Sequence, residues 1–318
     1  MRKQRFGGYQ ASVIGLGTGE FGGKCPESLA REFMDAFVGM GGNFIDTARV
    51  YGDFVTPRDG ESEKVIGRWM AERHNRDRVF LSTKGGHPAL GAMWKSRLSR
   101  EEVRRDMEGS LNDLQTDHVD VYWLHRDDES RPVGELMETL HSLAEDGSAR
   151  MIGVSNWKPR RIREAIAYAA AHGLTPLSAN QPQFSLAVQR VSPDPTLTAM
   201  DGETWRLHRE TGLVCCGFSS QAHGFFTKLE QGGPEALSGN VKRAFLSEEN
   251  QAIMDRLTVL KRETGRSVGA LALAYLTSQP FPTFALAGVS RLSQIETLRE
   301  AGETALTPAQ RDMLRKMG

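Results

Sequence analysis

The chain has 318 residues, 39% hydrophobic and 25% charged, enough apolar material to bury a sizeable core in one α/β barrel or in two smaller domains. Its 40 basic side chains balance its 40 acidic ones, which disfavours a nucleic-acid coat or an anionic-membrane binder, since both need a positive surplus. Three cysteines make no disulfide framework, no apolar run approaches a membrane helix, and the first ten residues carry charge without an apolar segment, so the expectations are reduced thiols, no membrane span, no secretory leader and a cytoplasmic location.

Short apolar runs alternate along the chain with longer segments of helical period. In order, a strand at Val13–Gly17 precedes a helix at Glu27–Met40, stopped by Gly41-Gly42. Strand Asn43–Thr47 precedes helix Glu61–Arg73, Val79–Thr83 precedes Ser99–Leu114, and Val119–Leu124 precedes Pro132–Asp146. Ser99 reads as an N-cap, while Pro132 and Pro159 suit first helical turns. Strand Met151–Val154 leads to helix Pro159–Ala171, Leu177–Asn180 to Trp205–Glu210, and Leu213–Gly217 to Ser247–Glu263 and Ser267–Ser278. Thr283–Ala287 is the last strand, followed by a helix at Leu292–Glu300 and a short one from about Thr307. Most of the strands are continuous apolar runs, as parallel strands covered on both faces require. Eight strand–helix alternations with no second compositional region fit a single-domain α/β fold, a closed (β/α)8 TIM barrel over residues 1–318, better than an open doubly wound sheet. Within Leu213–Gly217, the adjacent Cys215 and Cys216 point to opposite faces.

Two patterns compete for the chemistry. Gly17-Thr18-Gly19-Glu20-Phe21-Gly22 matches the glycine-rich dinucleotide turn, with Asp46 further on as the ribose-binding acid. With 33 glycines in the chain that match is weak, and none of the five tyrosines has a lysine four residues later, as the short-chain version of that reading needs. The second pattern is dispersed: Asp46, Lys84 and His125 each end a predicted strand, and Tyr51 lies in the loop after the first of these. Singly, each has an ordinary structural reading as turn cap, solvated lysine, rim histidine or turn aromatic. Jointly they converge on the barrel face where active sites sit. The set suits reversible carbonyl reduction. A free phenol ionises near pH 10 and is a poor acid–base at neutrality, but a nearby ammonium stabilises the phenolate. Asp46 supplies the partner a buried ammonium needs, and a neutral His125 polarises the carbonyl by hydrogen bonding.

With these residues in view, the sequence resembles the aldo-keto reductases nearly end to end. The likeness is carried by Gly15-Leu16-Gly17-Thr18, Asp46-Thr47-Ala48 with Tyr51-Gly52, Ser82-Thr83-Lys84, Leu124-His125, Gly153-Val154-Ser155-Asn156, Asn180-Gln181 and residues 288–294. The resemblance implies catalytic Asp46, Tyr51, Lys84 and His125, and NADPH (NADP+), less often NADH, bound across the barrel mouth without a Rossmann domain. It turns the glycine match into backbone near the nicotinamide, at Gly17, Thr18 and Gly19, alongside Asp46. It implies Ser155, Asn156 and Gln181 on the carboxamide, Phe218 stacked on the ring where the family usually has Tyr or Trp, and Ser219 and Ser220 near the pyrophosphate. Gly288, Ser290, Arg291 and Gln294 fall in the adenosine-phosphate region, where a guanidinium at a helix N-terminus suits a 2′-phosphate.

Several positions depart from the family pattern. Gly19 replaces a common Trp, Thr297-Leu298 replaces the Glu-Asn pair used on adenine, and the segment Asp53–Gly60 is unusually long and is expected to fold over the mouth as a specificity loop. Trp94, Phe54 and Trp157 are candidate substrate-lining aromatics, each equally a packing residue. No zinc-type spacing is present, so no metal is expected. The expected function is NADPH-dependent reduction of a small-molecule aldehyde or ketone to an alcohol, with Tyr51 as general acid–base. The alternative is a slow-turnover NADPH-binding regulatory subunit of a membrane protein, resembling channel β subunits. The sequence leaves substrate and oligomeric state open.

Overall fold

The computed structural model describes residues 1–52, 60–192 and 194–317. A β-hairpin, β1 (Lys3–Phe6) and β2 (Tyr9–Ser12), opens the chain. Eight parallel strands then close into a barrel: β3 (Ile14–Gly17), β4 (Phe44–Asp46), β5 (Phe80–Gly85), β6 (Val119–Leu124), β7 (Ala149–Ser155), β8 (Ala179–Gln181), β9 (Val214–Gly217) and β10 (Thr283–Ala287), which returns to pair with β3. This is the (β/α)8 architecture, and every predicted strand is found within two residues at each end. The open doubly wound alternative is excluded by the closure of β10 on β3.

Ser99 caps its helix as the sequence led us to expect, Ser247 and Ser267, read as first helical residues, are caps as well, and Pro132 stands at the cap position just before α4 (Val133–Glu145). Ser99, Ser247 and Ser267 accept hydrogen bonds from the amides three residues on, at the starts of α3 (Arg100–Leu114), α9 (Glu248–Thr264) and α10 (Val268–Thr277). The outer shell also contains α1 (Glu27–Gly39), α2 (Glu61–Arg73), α4 (Val133–Glu145), α5 (Pro159–His172), α6 (Gly202–Thr211) and α11 (Ser293–Glu303). Two helices without a sequence expectation, α7 (Phe225–Gly232) and α8 (Gly239–Phe245), lie between β9 and α9, and α12 (Pro308–Leu314) ends the fold.

The apolar interior has two bodies. One lies between strands and helices and includes Cys215; the other fills the barrel and includes Cys216, as the alternation along β9 requires. The hairpin, which the sequence analysis did not anticipate, closes the barrel floor. Phe6 is fully buried, with ring centroids 5.1 Å from Phe80, 5.2 Å from Phe284 and 6.1 Å from Phe44. With the floor sealed by aromatics, the opposite end, where the strands finish, is left to carry polar side chains.

Candidate active site

Strand register brings the candidate residues to one rim. Gly17 and Asp46 are paired last residues of β3 and β4, Lys84 is the penultimate residue of β5, His125 follows β6, and Ser155 and Gln181 pair at the ends of β7 and β8. Phe218 and Gly288 follow β9 and β10.

Lys84 is 1% exposed. Its Nζ donates to Asp46 Oδ2 at 2.6 Å and to the Thr47 carbonyl at 2.7 Å, and it is hydrogen bonded to the Tyr51 phenol. The ammonium stands 4.6 Å from the Tyr51 ring centroid. Burial alone disfavours the charged amine, but the Asp46 carboxylate and the phenol outweigh it and raise the lysine pKa, so the site contains a cation. The other Asp46 oxygen, Oδ1, accepts from Ser82 Oγ at 2.6 Å and Gln181 Nε2 at 3.1 Å. The carboxylate thus spends its acceptor capacity on fixed donors, as a buried ion pair requires.

Tyr51 owes its position to the backbone around it. Its amide bonds to the Ala48 carbonyl and its carbonyl accepts from the Ser62 amide on α2. Gly52 has φ +88°, and a Cβ there would meet the Phe21 carbonyl at 2.7 Å and Glu61 Cβ at 2.8 Å, so only glycine lets the loop pass. Arg49 ties the same loop down through ion pairs with Glu63 on α2 and Asp113 on α3.

The His125 ring stands edge-on to Tyr51, with centroids 5.8 Å apart and an interplanar angle of 79°. Burial, reinforced by His87 and by the Lys84 and Arg126 cations, pushes its pKa well below the usual histidine range, so the ring is neutral. Its Nδ1 is buried without a hydrogen-bond partner among the described residues. The tautomer with the proton on Nε2 leaves only a lone pair unsatisfied there and makes Nε2 the donor. His87 packs edge-on at 4.7 Å, and its Nδ1 donates to the Pro88 carbonyl at 2.7 Å. The sequence analysis missed His87, Arg126 and the Ser82 contact; a histidine directly after Gly85-Gly86 at the end of β5 was the available signal.

The cofactor positions behave differently from one another. Asn156 has φ +62° and its amide donates to the His125 carbonyl at 3.2 Å and to Ser155 Oγ at 3.1 Å. Ser155 Oγ donates to the Gln181 carbonyl at 2.8 Å. These bonds, not a helix cap, occupy both residues, since α5 begins at Pro159 with Lys158 at its cap position. Thr18 Oγ1 donates to the Asp46 carbonyl at 3.0 Å, so it braces the rim, while a Cβ on Gly19 meets nothing within 4 Å. Ser220 is 2% exposed and its hydroxyl donates to the Leu286 carbonyl at 2.6 Å. The hydroxyl thus ties the β9 loop to β10. Ser219, half-buried with φ +51°, opens that loop, and among the described residues nothing accepts from the amides of Ser219, Ser220 and Gln221. Successive unpartnered amides are a donor set that a phosphate group can take. Ser290 and Arg291 are exposed ahead of α11, and both amides are accepted by Gln294 Oε1, at 2.7 and 3.1 Å. Gln294 thus caps the donors that a phosphate at this helix start would take. Phe218 is half-buried against the barrel core.

Of the aromatic candidates, Trp157 is fully buried with its indole donating to the Arg126 carbonyl, so it packs beneath the rim and does not line it. Trp94 is exposed beside a cleft, and Phe54 and the rest of the expected specificity segment Asp53–Gly60, apart from Gly60 itself, lie outside the described residues.

A closed parallel barrel with its polar cluster at the strand ends defines the class as a (β/α)8 enzyme fold. Residues 13–318 match the model of the aldo/keto reductase family, and the chain belongs to that family of NAD(P)H-dependent oxidoreductases. It is 30% identical to an uncharacterized oxidoreductase, YrpG, of Bacillus subtilis, over 94% of this chain and 90% of that one. It is 30% identical to a putative aryl-alcohol dehydrogenase of Saccharomyces cerevisiae, over 95% and 80%, and 28% identical to a norsolorinic acid reductase of Aspergillus flavus, over 92% and 74%. The crystal structure of a thermostable aldo-keto reductase in complex with epalrestat superposes with a TM-score of 0.73 at 23% identity, covering 99% of this chain and 98% of that chain, a likeness of fold.

Proposed function

We propose that this chain reduces an aldehyde or ketone to an alcohol, reversibly, with NADPH as the preferred cofactor, and that Tyr51 is the general acid–base. The observation that carries the reading is the buried Lys84 ammonium, held by Asp46 and hydrogen bonded to a phenol that faces a neutral imidazole. NADPH, when bound, supplies the hydride. The protein does the rest. His125 donates from Nε2 to the carbonyl oxygen and polarises it, Tyr51 releases its proton to the same oxygen, and Lys84 stabilises the phenolate left behind. Asp46 keeps Lys84 charged and in place. Ser155, Asn156 and Gln181 are the residues that would hold the carboxamide, Phe218 the ring face, and the amides after β9 the pyrophosphate. Arg291 is the 2′-phosphate contact, which is the basis for NADPH over NADH.

The test follows nicotinamide absorbance with two variants and a panel of carbonyl compounds. Tyr51→Phe is expected to lower kcat about 10²- to 10⁴-fold with NADPH affinity within twofold. Arg291→Ala is expected to raise KM for NADPH roughly tenfold and leave KM for NADH nearly unchanged, the loss of one charge-assisted contact. A near-normal rate in Tyr51→Phe sinks the acid assignment; equal effects of Arg291→Ala on both cofactors sink the phosphate assignment.

A further inference from the structure

The backbone of His125 is fixed, but no hydrogen bond holds its ring at Nδ1. The amide donates to the Gly85 carbonyl at 2.9 Å, and the carbonyl accepts from Asn156 at 3.2 Å and from Arg126 at 3.0 Å. Nδ1 is buried with no partner among the described residues. Which ring nitrogen of a histidine carries the proton is ordinarily set by the hydrogen bond that the other one makes. The torsion that turns the ring is broad and roughly two-fold. Turned over, the ring would put Cε1 where Nε2 had been, and the donor to a carbonyl oxygen would be lost.

Two aromatic rings confine it instead. His87 is the nearer, with centroids 4.7 Å apart and 63° between planes, against 5.8 Å for Tyr51. His87 is itself locked. Gly86 before it has φ +73°, and a Cβ there would run into Leu98, so the turn off β5 is open to glycine alone. The Gly86 amide donates to Asp106 Oδ2 at 2.8 Å, and Arg97 bridges Asp106 Oδ1, at 2.7 Å, to the His87 carbonyl, at 3.1 Å. The backbone is thus clamped to α3 before and after the residue, and Nδ1 of the ring is held by the Pro88 carbonyl at 2.7 Å. An asparagine could also make that last bond. The flat face against His125 is what only an aromatic ring supplies.

We propose that His87 is a positioning residue for the reduction: its clamped ring keeps His125 turned with Nε2 toward the carbonyl and keeps water away from Nδ1. The proposal deepens the carbonyl-reduction reading above and rests on it.

The charges around His125 give the test its sign. Tyr51 faces it from the loop after β4, Lys84 from β5, His87 from the loop after β5, and Arg126 follows it in the chain; Asp194 acts on His87 and Arg126. Burial first, then His87, Lys84 and Arg126, disfavour an imidazolium at His125. Replacing the His87 ring by a shorter side chain admits water to Nδ1, so the His125 pKa rises toward the ordinary 6.5. A phenyl ring keeps the water out.

The experiment compares His87→Asn, which keeps the Pro88 bond, with His87→Phe, which keeps the ring. It follows kcat with NADPH from pH 5 to 8 and the imidazole nitrogen resonances by NMR, with His125 assigned by its loss in His125→Asn. His87→Asn is expected to lower kcat about tenfold at pH 7, with KM for NADPH within twofold and the acid limb of the rate moved to higher pH. His87→Phe is expected to stay within about threefold in kcat and to keep the wild-type acid limb. Wild-type His125 is expected as one tautomer, protonated at Nε2. A mixture of tautomers in the wild-type chain, equal rates in all three proteins, or a loss in His87→Phe as large as in His87→Asn overturns the proposal. If no carbonyl compound is reduced, the carbonyl-reduction reading fails and the resonances decide alone. A His125 that titrates at higher pH in His87→Asn than in the other two proteins then supports the positioning role, and the same titration in all three overturns it.

Discussion

At the scale of single residues, the chain invests most in one ion pair. Removing Lys84 and Asp46 from water carries a penalty of several kcal/mol per ion, and the pair is tolerable because Thr47, Ser82, Gln181 and Tyr51 satisfy the remaining donors and acceptors. Breaking it leaves a lone buried charge. Asp46→Ala is therefore expected to destabilise the fold by about 3–5 kcal/mol in urea denaturation near neutral pH. Without its partner the buried lysine pKa drops below its unfolded value. The unfolded state then binds more protons, so the variant should regain stability as pH rises. A variant as stable as the parent at pH 7, with no such slope, would show that the pair is solvated in solution.

At the scale of elements, two pieces of backbone set the site. The loop from Thr47 to Gly52 is pinned to α2 at Ser62 and to α2 and α3 through Arg49, which makes Tyr51 a fixed group in a loop. The hairpin acts from the other end: its Phe6 fills the barrel floor among Phe44, Phe80 and Phe284. Truncating a fully buried phenylalanine costs the lost transfer energy and leaves a cavity. Phe6→Ala should lower stability by about 3–5 kcal/mol, read from the urea midpoint at unchanged slope, with KM for NADPH unaffected because the floor is remote from the strand ends. A loss below about 1 kcal/mol would mean that the barrel closes without its plug.

At the scale of the whole molecule, buried histidines link folding to pH. His208 is enclosed, with Nδ1 donating to the Leu213 carbonyl and Nε2 accepting from Asn180. Burial pulls its pKa down to about 4, and His87 down to about 4, from an ordinary 6.5; His125 also lies well below 6.5. The fold holds all three neutral. Below pH 6.5 the unfolded chain takes up protons that the folded chain refuses, so this contribution is complete above 6.5 and lost as pH falls toward 4. Each fully buried histidine adds a slope approaching about 1.4 kcal/mol per pH unit in that window. Denaturant midpoints should be flat from pH 7 to 8 and fall steeply from pH 6 to 4.5, with a shallower fall in His208→Asn. A flat profile through pH 5 would contradict the neutral burial of these rings.

Much of this was legible in the residues. The strands were readable because parallel strands buried on both faces are continuous apolar runs, and Asp46, Lys84 and His125 were readable because each ends such a run. The hairpin was not, because Lys3, Arg5, Tyr9 and Gln10 are exposed, Gln4 is half-buried, and only Phe6, Ala11 and Ser12 of its two strands are buried. Ser220 was expected near the pyrophosphate from the family resemblance, and nothing local in the sequence shows that its hydroxyl bonds across to β10. Local pattern thus determined the barrel, its strand ends and the residue types gathered there, since period and apolarity are carried by neighbours in the chain. What only the tertiary structure decided was which polar groups are already spent on one another and which face the cleft. A hydrogen bond from Gln181 to Asp46 joins residues far apart in sequence and exists only once the barrel has closed.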